Sequence, residues 1–218
     1  ILGSISVVRD GEIVRLTLSP GVTLKFAEGT RMQISDNRYV GNYTYHNYYG
    51  ELCAVGTEDQ PITFTSMSGE AGGWNGLYFD PRSDDAEGQR SDLQHCVIEN
   101  GNEYNLHLNG TNQPSLIEDC IFRNSSGKGV YMVSEGYDTI RDCAFENNAD
   151  YGLYYNNPHY VGELENLTFT GNLHDGVAVE GGDISANRTW NKFSAGASYY
   201  ILGSISVVRD GEIVRLTL

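Results

Sequence analysis

Apolar and polar residues alternate along most of this chain in short runs, as in Val22-Thr23-Leu24-Lys25-Phe26 and Ile62-Thr63-Phe64-Thr65. A period of two over four or five residues predicts a strand with one buried face, and the Gly, Asn and Asp between the runs predict turns. Few windows carry the helical period, so the expectation is an all-β chain with no helix longer than a turn or two.

Laid under one another, HCVIEN, DCIFRN, DCAFEN and NLTFTG expose a longer period of about 24 residues. Cys96, Cys120, Cys143 and Leu167 form one column, Ile98, Phe122, Phe145 and Phe169 a second, and Leu93, Ile117, Ile140 and Leu164 a third; each steps by 24, 23 and 24. Two further columns, Asn100, Asn124, Asn147, Gly171 and Asn105, Gly129, Gly152, Gly176, hold residue types that readily take left-handed backbone, and both read as turns. The second of them leads into NLHL, GVYM, GLYY and GVAV. Apolar columns separated by repeated turns describe a coil that stacks strand on strand, each coil ~4.8 Å above the last.

A still longer period frames this one. ILGSISVVRDGEIVRLTL occupies positions 1–18 and returns without a substitution at 201–218. The flanks, Tyr199-Tyr200 and Ser19-Pro20-Gly21, run into it with no linker composition. The organisation expected is one repeat unit over 1–200, with 201–218 beginning the next, identical unit. No amphipathic helix pattern or cluster of edge charges precedes the second copy, so the unit reads as uncapped and continuing. Seven or eight coils correspond to ~35–40 Å of axial rise per unit.

These columns resemble the right-handed parallel β-helix family, in the sense of the pectin-lyase-like superfamily. SPGVTLKFAEG is similar to its first-coil strand, GTEDQPITFTS and GGWNGLYF to its early coils, IEDCIF and IRDCAF to its generic repeats, and ISANRTW with YYILGSISV to the opening of such a domain. The resemblance implies a right-handed β-solenoid. Two polar segments, Asn37 to Glu51 and Asp80 to Asp92, break the period and read as loops protruding from it. Function does not follow from this fold, which carries lyases, hydrolases, epimerases, adhesins and tailspikes. Activity on acidic polysaccharides would, by that resemblance, call for calcium-binding aspartates with an arginine base, for Asn-x-Asp with Arg-x-Lys, or for Asp-Pro-His. The sequence has Asp84-Asp85 only in the second polar segment, no Arg-x-Lys, and Asn157-Pro158-His159 where the last would need an acid. No residue is assigned a catalytic role.

Net charge is −15, and the duplicated segment adds nothing to it because Arg9 and Arg15 balance Asp10 and Glu12. So acidic a unit disfavours nucleic acid and attracts cations. No apolar run approaches the ~20 residues of a membrane span. The function expected is a secreted or cell-surface structural solenoid, a fibre, stalk or sheath whose partners are copies of itself end to end; the alternative is a carbohydrate-binding or carbohydrate-active β-helix contacting cell-surface glycans.

Candidate chemistry is sparse. Asp80, Asp84, Asp85 and Glu87 could gather oxygen ligands for calcium, while Arg82 and Arg90 could equally neutralise them. Tyr39, Tyr43, Tyr45, Tyr48 and Tyr49, with His46, offer rings of the kind that stack on sugars or bury at interfaces. His95, Asp119, Asp142 and Asn166 form a polar column; carboxylates on adjacent coils lie ~5 Å apart, a glycosidase-like separation, and the same residue types also serve repeated bends. Stacked Cys96, Cys120 and Cys143 have parallel Cβ vectors that suit buried thiols better than a disulfide. Glycosylation sequons begin at Asn42, Asn109, Asn124, Asn166 and Asn187.

Overall fold

The computed structural model describes residues 1–42, 44–80, 91–109, 116–133, 139–193 and 196–218. Three parallel sheets wind around one apolar core. Sheet A stacks Ile5–Val7, Met32–Ile34, Leu77–Phe79, Tyr104–Leu108, Lys128–Met132, Tyr151–Tyr155, His174–Val179 and Ser198–Ile201. Sheet B holds Val14–Leu18, the end of Thr44–Val55, Asp92–Gln94, Leu116–Glu118, Thr139–Arg141 and Glu163–Glu165; sheet C holds Thr23–Phe26, Ile62–Ser66, Cys96–Glu99, Ile121–Arg123, Ala144–Glu146 and Thr168–Thr170. The chain visits A, B and C in turn as far as Thr168–Thr170, and on the last coil Gly182–Ile184 and Arg188–Thr189 pair instead with Ile205–Val207 and Leu216–Thr217 in two short parallel sheets. This is a parallel β-helix, and the only helix among the described residues is a single 3-10 turn, Pro158–Tyr160.

The sequence columns are the register. Leu93, Ile117, Ile140 and Leu164 pair in sheet B, and Ile98, Phe122, Phe145 and Phe169 in sheet C. All of these point into the core, with Cys96, Cys120 and Cys143 beside them. The cysteines are free thiols. Their Sγ–H groups donate to carbonyls of the coil below, Cys96 to Ala54 O at 3.3 Å and Cys120 to Leu93 O at 3.5 Å. Burial pushes the Cys120 and Cys143 thiols well up.

Two of the three sheet boundaries are made by one left-handed residue on each of the repeated coils. His95, Asp119, Asp142 and Asn166 turn the chain from B to C at φ 47, 51, 53 and 50°. Asn100, Asn124, Asn147 and Gly171 turn it from C towards A at φ 64, 55, 53 and 72°. The other proposed turn column works differently, since neither Gly129 nor Gly152 is left-handed. A Cβ on Gly152 would sit 2.7 Å from Phe169 Cδ1 and 2.8 Å from Phe145 Cβ, so glycine is required there by crowding against the phenylalanine stack. At the same level a ladder of buried amides, Asn105, Asn148 and Asn172, satisfies the backbone groups left by the turn.

The first polar segment is no loop. Asp36–Gly41 and Thr44–Val55 form an antiparallel hairpin that leaves sheet A and returns into sheet B. Gly41 and Asn42 at its tip are both left-handed, as tight hairpin turns demand. Residues 81–90 of the second polar segment lie outside the described residues.

The duplicated segment folds alike at both ends. Strands form at Ile5–Val7 and Ile205–Val207, Gly11 and Gly211 are left-handed at φ 68 and 72°, and Arg9–Glu12 and Arg209–Glu212 make the same ion pair at 2.9 and 3.1 Å. Leu16–Thr17 pair with Leu52 and Cys53 above, and Leu216–Thr217 pair with Arg188 and Thr189 below. The placement around the coil differs. Ile5–Val7 lies under sheet A, whereas Ile205–Val207 follows the sheet A strand Ser198–Ile201 and stacks on Gly182–Ile184.

Candidate functional site

Three surfaces carry features that folding alone does not explain. Along the bend between sheets B and C runs an open groove of about 470 Å³, lined by Thr57, Glu58, His95, Asp119 and Asp142 among others. His95 Nε2 lies 3.6 Å from Asp119 Oδ2, and Asn166 Nδ2 donates to Asp142 Oδ1 at 3.0 Å. The backbone N–H groups of His95, Asp119 and Asp142 donate to Glu118 O, Arg141 O and Glu165 O of the coil above. The column is thus a bend, hydrogen-bonded coil to coil, with its side chains paired in solvent. Among the residues lining the groove the one basic side chain is His95, beside Asp119.

The second surface is the outer face of sheet A, where the third letters of NLHL, GVYM and GLYY and an earlier tyrosine come into register: Tyr78, His107, Tyr131 and Tyr154. Tyr78 meets His107 edge-on at 4.8 Å, His107 stacks on Tyr131 at 4.8 Å, and Tyr131 meets Tyr154 at 5.3 Å. Arg31 lies over Tyr78 at 4.9 Å and Lys128 over Tyr154 at 4.8 Å. This stripe is not one of the inward apolar columns, although its ring recurs at one position of each coil.

His107 is the exceptional member. Both of its ring nitrogens are buried with no hydrogen-bond partner among the described residues, and burial, with Arg31 as the second cause, lowers its pKa to about 4. The unfolded chain, with histidine near its ordinary value of about 6.5, takes up the proton first. The resulting stability is therefore fully present above about pH 6.5 and is lost as pH falls towards 4. We expect urea unfolding to show roughly 2–3 kcal/mol less stability at pH 4 than at pH 7 from this group. His107→Phe should remove that part of the acid sensitivity, and an unchanged pH profile in that variant would contradict the assignment.

The third surface is the pair of ends. At the first, Val7 is 7% exposed beneath Ile34; at the last, the equivalent Val207 is 38% exposed, with Ile213 at 85% and Leu218 at 88%. An apolar groove of about 510 Å³ opens there between Trp190, Tyr199, Ile201, Ile205, Val207 and Leu216. It holds one buried indole N–H, Trp190 Nε1, with no acceptor among the described residues. At the first end Arg15 Nε donates to Glu51 Oε2 at 2.7 Å, and the Glu51 side chain is only 2% exposed.

The other sequence candidates are dispersed. Tyr48 and Tyr49 lie on the hairpin, paired with Asp10 and Arg9; Tyr39 is exposed on its outer strand; Tyr43 and the side chain of Tyr45 lie outside the described residues. Arg38 sits over Tyr48 at 4.8 Å, and His46 Nδ1 lies 3.7 Å from Asp10 Oδ2. Asp80 ends the sheet A strand, its N–H donating to Ile34 O, whereas Asp84, Asp85 and Glu87 fall outside the described residues. Among the described residues no three His, Cys, Asp or Glu side chains converge as metal ligands. Of the sequon asparagines, Asn42, Asn166 and Asn187 are exposed and Asn124 is half-buried. Asn109 is half-buried too, and its Nδ2 donates to Tyr78 Oη at 2.8 Å.

Coils of one direction, three parallel sheets and left-handed bends at their corners define a parallel β-helix. The family model described as right handed beta helix region matches residues 53–210, well over half of the chain, and the chain belongs to that family. No curated protein and no solved structure matches it.

Proposed function

We propose that this chain is a structural β-solenoid element, made to continue end to end with further copies of itself as a rigid fibre, stalk or sheath at or outside the cell surface. One observation carries the reading: the same eighteen residues occur twice, 200 positions apart, and in the same local fold pair upward with the coil that follows in one copy and downward with the coil that precedes in the other. The charge of −15 per unit keeps such rods apart sideways at low salt, and divalent cations such as calcium would bring them together.

The test is a chain in which residues 1–200 precede a complete second copy of 1–218. Sheet A rises seven strand spacings from Ile5–Val7 to Ser198–Ile201, so X-ray scattering should show the maximum dimension growing by roughly 35 Å as a stiff rod. Two particles hinged freely at the junction would refute continuation.

A second reading, contact with glycans through sheet A, is favoured by the outward aromatic stripe and its flanking Arg31 and Lys128. Loss of glycan-array binding in Tyr131→Ala is its expected signature. A wild-type chain that binds no glycan leaves only the structural reading.

A further inference from the structure

We propose that the groove along the bend between sheets B and C binds a linear aliphatic oligoamine, its methylene spacers lying on the outward-facing Val97, Ile121 and Ala144 and its ammonium groups taken by Glu58, Asp119 and Asp142. The floor is what folding leaves unexplained. Val97, Ile121 and Ala144 form one column of sheet C, pointing away from the core and half-buried. The same column reads Thr63 on the coil before and Thr168 on the coil after, so a polar residue suits this place in the pleat. It turns apolar only on the coils that line the groove.

The rim supplies the opposite chemistry. His95, Asp119 and Asp142 stand beside the floor, one to a coil, and the turn at 57–60, held by Thr57 N donating to Gln60 O at 3.2 Å, brings Glu58 to the lining. Among the described residues Asp142 spends only Oδ1, on Asn166, and Asp119 meets His95 through Oδ2, which leaves each carboxylate its other oxygen. Three carboxylates against one imidazole favour a cation, and the charge of −15 draws it in from a distance.

The occupant follows from three further properties of the groove. Its backbone is already used: Ile62 N donates to His95 O, Ala144 N to Cys120 O and Thr168 N to Cys143 O. Recognition therefore falls to side chains, and a peptide laid there would find no strand edge to pair with. No aromatic ring is among the lining residues, so a sugar has nothing to stack on. A bare metal ion would leave the apolar floor uncovered. Successive bend residues lie one coil apart, ~4.8 Å, and ammonium groups joined by trimethylene or tetramethylene spacers repeat at roughly 5–6 Å. Neighbouring charges of such a chain thus meet neighbouring coils, and about 470 Å³ accommodates a short one.

The test is isothermal titration of the 218-residue chain with spermidine, which carries one spacer of each length, in low-salt buffer. One molecule should bind per chain, and Asp119→Asn or Asp142→Asn should each weaken it roughly three- to tenfold. Asparagine preserves this bend, since Asn166 makes it on the following coil at φ 50°. Ile121→Thr gives the floor the residue its column carries at Thr63 and Thr168, and should weaken binding about threefold through lost apolar contact. Asp183→Asn removes the same charge at an exposed position outside the groove and should leave the affinity unchanged. Equal weakening by Asp183→Asn and Asp142→Asn would mean that only the diffuse field of an acidic chain holds the amine, and the site would be refuted. An affinity untouched by Ile121→Thr would overturn the role of the floor and the proposal with it. A trilysine peptide that binds as tightly would overturn the choice of an occupant without a backbone.

Discussion

Truncating Phe145 to alanine is expected to cost about 3–5 kcal/mol, enough to unfold a substantial part of the solenoid at moderate urea. Phe145 is fully buried and lies between Phe122, 5.4 Å below, and Phe169, 4.9 Å above, both nearly parallel to it. A β-solenoid contacts itself only coil to coil, so the space left by the ring cannot be filled from a distant part of the chain. The wall beside it is close, since even a Cβ added at Gly152 would clash with Phe145 Cβ at 2.8 Å, and packed walls leave little room to collapse. Phe193, at the open end of the stack and 9% exposed, serves as the comparison, and Phe193→Ala should cost distinctly less. Equal losses at the two sites would mean that the stack does not behave as a column of neighbours.

Asn148→Leu should be about as damaging, for a different reason. The side chain is 1% exposed and engages four groups: it donates to Phe122 O at 3.1 Å and Asn172 Oδ1 at 2.8 Å, and accepts from Ser125 N at 3.1 Å and Asn105 Nδ2 at 3.3 Å. Leucine matches its volume and leaves each partner buried without water. At about 1–3 kcal/mol for an orphaned buried group, even two uncompensated partners bring the loss to roughly 2–5 kcal/mol. Asn148→Asp retains the acceptor and loses both donors, so it should fall between wild type and leucine at neutral pH. Chemical denaturation of the three proteins orders them, and a leucine variant as stable as wild type would show that the ladder contributes no net stability.

Those two columns also show how far the sequence could be read. Phe145 belongs to a pattern that repeats every 23 or 24 residues, and stacking places identical roles on top of one another, so four coils of sequence behave like four observations of one position. The left-handed bends were legible for the same reason. The asparagine ladder was less so, because its members come from Asn105 and from Asn148 and Asn172, which do not share one column. Gly129 and Gly152 look like turn glycines by composition; only in three dimensions is it seen that a Cβ there would run into Gly152 O at 2.5 Å and Phe169 Cδ1 at 2.7 Å respectively, so they are small because they are crowded. The hairpin at 36–55 is hard to read because most of its residues are polar or aromatic, leaving little apolar alternation to mark its strands, although Gly41-Asn42 is a hairpin signal. Of the functional surfaces, the duplicated segment could be seen at once in the letters.

The unequal placement of that segment has a consequence for the shape of anything built from it. At the last end Ile201 continues sheet A and Ile205–Val207 lies around the next corner; at the first end Ile5–Val7 itself underlies sheet A. A joint that keeps both sets of pairings therefore starts the sheet A of each new unit one corner further round the axis than the sheet A of the unit beneath. The aromatic stripe of Tyr78, His107, Tyr131 and Tyr154 would then trace a stepped spiral along a filament instead of a straight seam. Such a rod presents the same tyrosines to several directions at once, and neighbouring rods cannot zip together along one continuous aromatic face.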